Sequence, residues 1–479
     1  MNQEKYETVI GLEIHAQLLT NSKLFSGDSI AFGAAPNTHV SPIVLAHPGT
    51  LPKTNKKAVE LAIKLGLACN CTIEQNNYFA RKNYFYADLP KGYQISQHTT
   101  PICKGGFVSI TTSDGTKEIE LNRIHIEEDA GKSIHDLEDN FSCIDLNRAG
   151  TPLVEIVTEP CLHSSEEAYQ YVTEVRRLVQ WIGVCDGNME EGSLRCDANI
   201  SIRLKGATTL GTRVEVKNLN SIRNVKKAID FEVERLINIV ESGEKVIQQT
   251  RSFDATNDTT FAIRDKEDAN DYRYFADPDL APFHLTTDFI QNIQQQLPAL
   301  PHQLKQQFIE VYELSNYDAN QLCDDVATAN YFLSTAGIYK NYKAIVNWIT
   351  GPIRQYLNET NGSFHNSTLQ PQTLAQLIEI VDAGKVNFSV ASAKILPILF
   401  TENKHPLEIA EALNLLQVSD SNELENWVNE VIANMPDKVA EYKKGKKGLI
   451  GLFVGEVKKI SKGKADPKKV TELLQTKLQ

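Results

Sequence analysis

The sequence predicts an α+β protein in three parts: a large mixed-sheet region over residues 1–294, an all-helical region over 295–404 and a small helical tail over 405–479. Three observations predict this division. Strand-like and helix-like patterns mix irregularly through the first region, which favours α+β over a doubly wound parallel sheet. Strands thin out after Pro298, and a separate lysine-rich helical unit begins near residue 405. At 479 residues the chain is also longer than one hydrophobic core organises.

The first strand is "VIGLEIHAQL", where Ile10, Leu12, Ile14, Ala16 and Leu18 share one face and Glu13, His15 and Gln17 the other. "DANISIRL" alternates likewise, with Ala198, Ile200, Ile202 and Leu204 opposing Asp197, Asn199, Ser201 and Arg203. "RVEVK" sets Val214 and Val216 against Arg213, Glu215 and Lys217. A helix is expected over 165–182, opened by a capping pair (Ser164, Glu167) and carrying Tyr171, Val172, Val175, Leu178, Val179 and Ile182 on one stripe. Another is expected over 221–241, stopped near Gly243. In the tail, Asp420 and Glu423 cap a helix whose stripe of Leu424, Trp427, Val428, Val431, Ile432 and Met435 reads as core.

Composition narrows the function class. Hydrophobic content of 41% and charged content of 23% suit a soluble globular protein, and no apolar run reaches the ~20 residues of a membrane span. The N-terminus has neither signal-peptide nor transit-peptide character, so a cytoplasmic location is expected. Eight scattered cysteines without a C-x-x-C pair read as free thiols. The net charge of −12 hides an asymmetry: Lys443 to Lys477 carries eleven lysines against three acids, leaving −20 on the remainder. A basic end on an acidic body fits a polyanionic partner there, and equally a solvated lysine face.

Residues 124–133, "IHIEEDAGKS", offer two chemistries. A P-loop needs a glycine five residues before Gly131, where Ile126 stands, and the intervening acids would repel phosphate. That leaves the carboxylates. Acids recur at the middle of non-apolar strand faces: Glu13 with His15, Asp197 beside Asn199 and Arg203, Glu215 beside Lys217, and those of "IHIEED". Gathered on one sheet face, hard oxygen ligands with one imidazole suit Mg²⁺ or Mn²⁺ better than zinc. Interspersed Arg and Lys suit nucleotide phosphates. An ordinary solvated face has the same periodicity, so the pattern alone leaves both readings open. The stretches 80–97 ("ARKNYFYADLPKGYQISQ") and 271–280 ("DYRYFADPDL") interleave aromatics with charge, as nucleotide or RNA-end contacts and surface turns both do.

Taken in order, "VIGLEIHAQL", "RKNYFYADLPKGYQISQ", "EEDAGKS", "DLNRAGTPLVEIV", "EEGSLRCDANIS" and "VEVKNLNS" closely resemble the B subunits of the GatCAB tRNA-dependent amidotransferases, over essentially the full chain. The resemblance implies a cradle domain, a helical domain and a YqeY-like tail. It implies ATP- and Mg²⁺-dependent phosphorylation of the side-chain carboxylate of Glu-tRNA(Gln) or Asp-tRNA(Asn), followed by amidation. Ammonia would come from a partner amidase, the A subunit of such complexes, with a small C subunit completing a heterotrimer. Carried over from the family, the metal ligands fall on Glu13, His15, Glu128, Asp197 and Glu215, with Glu13, His15, Glu128 and Glu215 catalytic. Strict alternation would favour Glu127 over Glu128 unless the strand ends or bulges there. Lys132, Arg203 and Lys217 are candidate nucleotide contacts. The tail contacts tRNA in the family, which assigns Lys443, Lys444, Lys446 and Lys447 as phosphate contacts. Where some members carry two cysteine pairs for zinc, this chain has Ser26, Asp28, Ser41 and Val44, so no zinc is expected. A small-molecule carboxylate–amine ligase and a tRNA-binding scaffold are the competing readings.

Overall fold

A computed structural model describes residues 3–138, 140–265, 272–402, 404–417, 421–461 and 464–478. The chain forms two compact units, residues 1–300 and 301–479.

The first unit is built on a ten-stranded mixed sheet. The strands that matter for function are β1 (Tyr6–Gln17), β2 (Ala80–Asn83), β3 (Tyr93–Ser96), β4 (Gly115–Glu128), β5 (Pro152–Thr158), β6 (Leu194–Leu204), β7 (Val214–Lys217), β8 (Gln249–Asp254) and β9 (Thr259–Asp265). Across the main sheet the order runs β9-β8-β7-β6-β1-β5-β4, then two short strands; β2 and β3 pair in a separate small sheet. The pairing is antiparallel except between β7 and β8. A parallel pair requires a crossover, and the helix α3 (Ile222–Glu241) supplies it between those strands.

Alternation decides the two faces. Ile10, Leu12, Ile14 and Ala16 of β1 are fully buried, on the side covered by α1 (Lys56–Ala68), α2 (Ser165–Trp181) and α3. The three predicted strands and both predicted helices are present at nearly the expected bounds. The Glu167 N–H donates to Ser164 Oγ at 3.1 Å, but the Glu167 carboxylate accepts from the N–H of His163 rather than that of Ser164. Gly243 ends α3 with φ +82°, a conformation that favours glycine. Leu204, expected on the apolar face, is instead 58% exposed, as the last residue of β6.

The second unit is helical throughout its described residues. Phe308, Phe332 and Trp348 anchor its first part. Its last part packs the helices Ser421–Asn434, Pro436–Lys443, Ile450–Ile460 and Pro467–Lys477 around Leu424, Val428, Val431, Phe453, Val457 and Leu474. Trp427, Ile432 and Met435 complete the predicted stripe at the edge of this core. Asp420, expected to cap the first of these helices, lies outside the described residues.

Candidate active site on the polar face of the sheet

The register of the central strands lays polar residues in cross-strand rows. Arg195, His15, Glu155 and His125 are aligned in one row, and Asp197, Glu13, Val157 and Arg123 in the next. Gly11, Asn199, Glu215 and Thr250 form a third. Directly opposed residues share a face, so these side chains all emerge opposite the helices. All of them but Val157, Gly11 and Asn199 border a cavity of about 730 Å³.

Two carboxylate triads stand on its floor. In one, ligand atoms of Glu13, Asp197 and Glu215 lie within 4.8 Å of one another; in the other, those of His15, Glu127 and Glu155 do. Neighbouring donors position several of the oxygens. Asn199 donates to Glu13 at 2.9 Å, Thr250 to Glu215 at 2.8 Å and Ser96 to Glu127 at 3.3 Å. The Lys217 ammonium reaches Asp197 at 2.5 Å and Glu215 at 3.3 Å. Behind the second triad, His125 Nε2 sits 3.2 Å from Glu155 and 3.6 Å from Glu127.

Electrostatics follow this geometry. Burial and the neighbouring Glu155 and Asp197 carboxylates push the Glu13 carboxyl up from its ordinary value. Burial works against the charged forms of His125, Lys217 and Lys82, but nearby carboxylates win in each case. Glu155 and Glu127 raise His125 to about 9, Asp197 and Glu215 raise Lys217, and Glu127 raises Lys82. Glu155 moves the other way: His125, His15 and Lys82 hold it well below the usual carboxylate range despite burial. Arg195 ion-pairs with Asp129 at 3.0 Å, and Gln17 donates to the same carboxylate at 2.8 Å, so Asp129 braces the floor.

The structure brings together Glu13, His15, Asp197, Glu215 and Lys217 from the residues expected on sequence grounds. It separates Glu128, Lys132 and Arg203 from them. β4 continues through Glu128 with regular pairing from Arg123 to Glu128, so no bulge re-aims that residue. Alternation therefore turns Glu127 to the site and Glu128 to the opposite side. There Glu128 ion-pairs with Lys91 and accepts the Ile95 N–H at 2.8 Å, lining a smaller cavity of about 260 Å³. Lys132 is exposed on a separate hairpin, Lys132–Glu138 with Phe141–Asp145. Arg203 pairs with Glu7 at 2.8 Å, six residues along β6 from Asp197, or ~20 Å. Gly131 serves packing: a Cβ there would stand 2.9 Å from the carbonyl oxygens of Asp88 and Asp145.

Glu155, His125, Lys82 and Arg195 join the site without having been expected there. The signal for Glu155 was present as a single acid inside the apolar run "PLVEIV". For His125 it was the shared parity with Glu127. Lys82 comes from outside the main sheet, where no period points to it. Asp271, in the second aromatic stretch, lies outside the described residues. In the tail, Lys443, Lys444, Lys446 and Lys447 are all exposed; Lys446 pairs with Glu441 at 3.0 Å, and Lys447 lies 4.3 Å over the Tyr442 ring. Of the four positions aligned with the zinc cysteines, Ser26 donates to Asp28 at 2.7 Å and Val44 is buried. Among the described residues no helix is long and apolar enough to cross a membrane.

The donor set of the two triads, five carboxylates and one imidazole, fits a hard divalent cation such as Mg²⁺. The chain as a whole is similar in sequence to known proteins. Residues 8–291 match the family described as the GatB/GatE catalytic domain, and residues 330–478 match the GatB domain. The B subunit of the aspartyl/glutamyl-tRNA(Asn/Gln) amidotransferase from Nitratidesulfovibrio vulgaris is 46% identical over 473 residues, covering 99% of each chain. Proteins of the same name from Geotalea daltonii, over 478 residues, and Persephonella marina, over 472, are each 46% identical; the alignments cover 99% and 98% of this chain and 100% and 99% of those proteins. Matched from end to end in this way, the chain belongs to the GatB family, the B subunits of the aspartyl/glutamyl-tRNA(Asn/Gln) amidotransferases.

Proposed function

We propose that this chain catalyses ATP- and Mg²⁺-dependent amidation of the side-chain carboxylate of misacylated Glu-tRNA(Gln), Asp-tRNA(Asn) or both. An oxygen of that carboxylate attacks the γ-phosphorus of ATP and ADP leaves. Ammonia then attacks the acyl carbon, and phosphate leaves with the carbonyl restored as an amide. The observation that carries this reading is the pair of carboxylate triads aligned by strand register in a cavity also lined by Lys82, Arg123 and Lys217.

A carboxylate is a poor nucleophile toward a polyanion, so the site must offset several negative charges at once. Glu13, Asp197 and Glu215 would hold one Mg²⁺, and His15, Glu127 and Glu155 a second; when bound, the metal supplies Lewis-acid polarisation of phosphoryl oxygens. Lys217, Lys82 and Arg123 border the same cavity and contribute fixed positive charge for the phosphates. Asn199 and Thr250 fix the carboxylates that would otherwise rotate. Glu128, Lys132 and Arg203 are not part of this machinery.

The finer assignments belong to the same proposal. A partner amidase (the A subunit) supplies ammonia from glutamine, a small C subunit completes the heterotrimer, and the work is done in the cytoplasm. The functional division runs 1–294 for the kinase and transamidase cradle, 295–404 for the helical domain and 405–479 for the tRNA-binding tail. The test is phosphate release by the assembled complex given ATP and Glu-tRNA(Gln) or Asp-tRNA(Asn). Glu13→Ala and Glu215→Ala should abolish release and amide formation together. Normal turnover by both variants would falsify the site.

A further inference from the structure

Arg195 stands on the cavity floor but has no part in the chemistry proposed above. In "EEGSLRCDANIS" the alternation of β6 turns the Leu194 and Cys196 side chains into the core and those of Arg195 and Asp197 the other way. Arg195 lies directly opposite His15 of β1 and two positions before Asp197, so it adjoins a member of each triad. Besides Asp129, its charge interacts with Asp197 of the first triad and with Glu127 of the second. The two lysines are more one-sided. Lys217 is bound to Asp197 and Glu215, and Lys82 interacts with Glu127 and Glu155.

The Arg195 guanidinium is held by Asp129, whose Oδ1 lies 3.0 Å from Nη2. Asp129 has other partners of its own. It accepts a Gln17 side-chain N–H at 2.8 Å and the Ala130 N–H at 3.0 Å, and Arg148 Nε lies 3.7 Å away. Two guanidinium groups on one carboxylate leave a net positive charge. A guanidinium carries five N–H donors in a rigid fork, of which one carboxylate takes two at most. Arg195 is half-buried and borders the cavity, so donors remain for an anion lying between the triads. A lysine would offer a point charge there, whereas the planar fork matches two oxygens on one centre.

We infer that Arg195, positioned by Asp129, is the direct contact for the oxyanion that lies between the two triads. This rests on the function proposed above, which brings two such oxyanions to the cavity. One is the side-chain carboxylate of the misacylated residue, and the other is the γ-phosphate of ATP. Both present paired oxygens to a guanidinium fork.

The test uses the assembled complex carrying the wild-type chain, Arg195→Gln or Arg195→Lys, with Mg²⁺ present. Two ratios of binding constants isolate the two oxyanions. Glu-tRNA(Gln) over Gln-tRNA(Gln) reports the carboxylate, which the amide lacks; a non-hydrolysable ATP analogue over ADP reports the γ-phosphate. Arg195→Gln should lower one ratio by about tenfold, as the loss of charge-assisted hydrogen bonds does, and leave the other within about twofold. A fall in the tRNA ratio assigns the contact to the carboxylate, and a fall in the nucleotide ratio assigns it to the γ-phosphate. An arginine that only braces the floor would weaken every ligand alike and move neither ratio. Both ratios unchanged, or both lowered together, would overturn the contact and leave the proposed function standing. If Arg195→Gln does not fold, Arg195→Lys carries the test: without the fork it should lose severalfold in one ratio, and unchanged ratios would overturn the contact. A wild type with a single preference leaves that ratio to decide. A wild type with neither preference would overturn the proposed function, and the contact with it.

Discussion

Glu127 and Glu128 are adjacent in sequence, chemically alike and almost equally buried, yet the pleat of β4 gives them opposite fates. Converting each to glutamine separates a ligand role from a structural one. Glu127 belongs to a triad with His15 and Glu155. Loss of even an outer-sphere partner of a metal ligand costs ~10–100-fold in metal affinity. Glu127→Gln should therefore raise the Mg²⁺ concentration for half-maximal phosphate release by at least about tenfold. Glu128→Gln should leave that midpoint unchanged. Its cost lies in stability, because Lys91, with 13% side-chain exposure, loses the carboxylate that neutralises it in a buried setting. Removing one member of a buried pair costs ~3–5 kcal/mol. The lower end applies here, since glutamine keeps an oxygen for the Ile95 N–H. About 3 kcal/mol in a unit of this size lowers the melting temperature by several degrees. The assays are a Mg²⁺ titration of phosphate release and a thermal melt of each purified variant. Equal Mg²⁺ shifts in the two variants would refute the face assignment.

Three further outcomes are expected. Lys23 is 1% exposed, and burial lowers its amine from 10.5 to about 8. The folded chain then binds fewer protons than the unfolded one between those values, so this residue makes stability rise with pH from about 8 to about 10.5, by up to ~3 kcal/mol. Lys23→Met should be the more stable protein at pH 7.5 and lose that advantage by pH 10.5 in paired thermal melts; a constant difference would exclude a buried amine. Changing Lys443, Lys444, Lys446 and Lys447 to alanine should weaken tRNA binding and flatten the log–log salt dependence by about three units, as three to four lost phosphate contacts would. An unchanged slope between 50 and 200 mM salt, values spanning roughly the usual assay range, would remove the tail from the tRNA interface. Gly131→Ala forces a methyl against two carbonyl oxygens at 2.9 Å. It should cost ~1–3 kcal/mol of stability with ATP affinity of the folded protein kept; loss of ATP binding without destabilisation would revive a phosphate-loop role.

Much of this was legible in residue order because a strand's period is short and strict. Glu13, His15, Asp197 and Glu215 could be placed on polar faces from alternating runs, the start of α2 from Ser164 and the end of α3 from Gly243. Strand order was not legible. Nothing in "PLVEIV" says that it pairs with β1 and sets Glu155 beside His15. Resemblance pointed to Glu128 and alternation to Glu127, and the regular pairing of β4 turns Glu127 to the cavity. Arg203 shares the polar face of β6 but stands apart from the triads, because a shared face does not imply proximity along an extended strand. Lys82 was hidden because a small second sheet delivers it over the site.

The central position of β1 also has a temporal side. This strand is made before both of its neighbours, Pro152–Thr158 and Leu194–Leu204, which lie more than a hundred residues later in the chain. At ~5–20 residues per second of synthesis, the nascent β1 waits on the order of 10–40 s before both edges can be covered. Throughout that interval "VIGLEIHAQL" is an uncapped hydrophobic edge that can pair with other chains. The charged residues that later face the cavity, Glu13 above all, stand in the middle of that segment as gatekeepers against aggregation. An uncharged residue at Glu13 should therefore lower the soluble yield of newly made protein, even where the matured fold tolerates it.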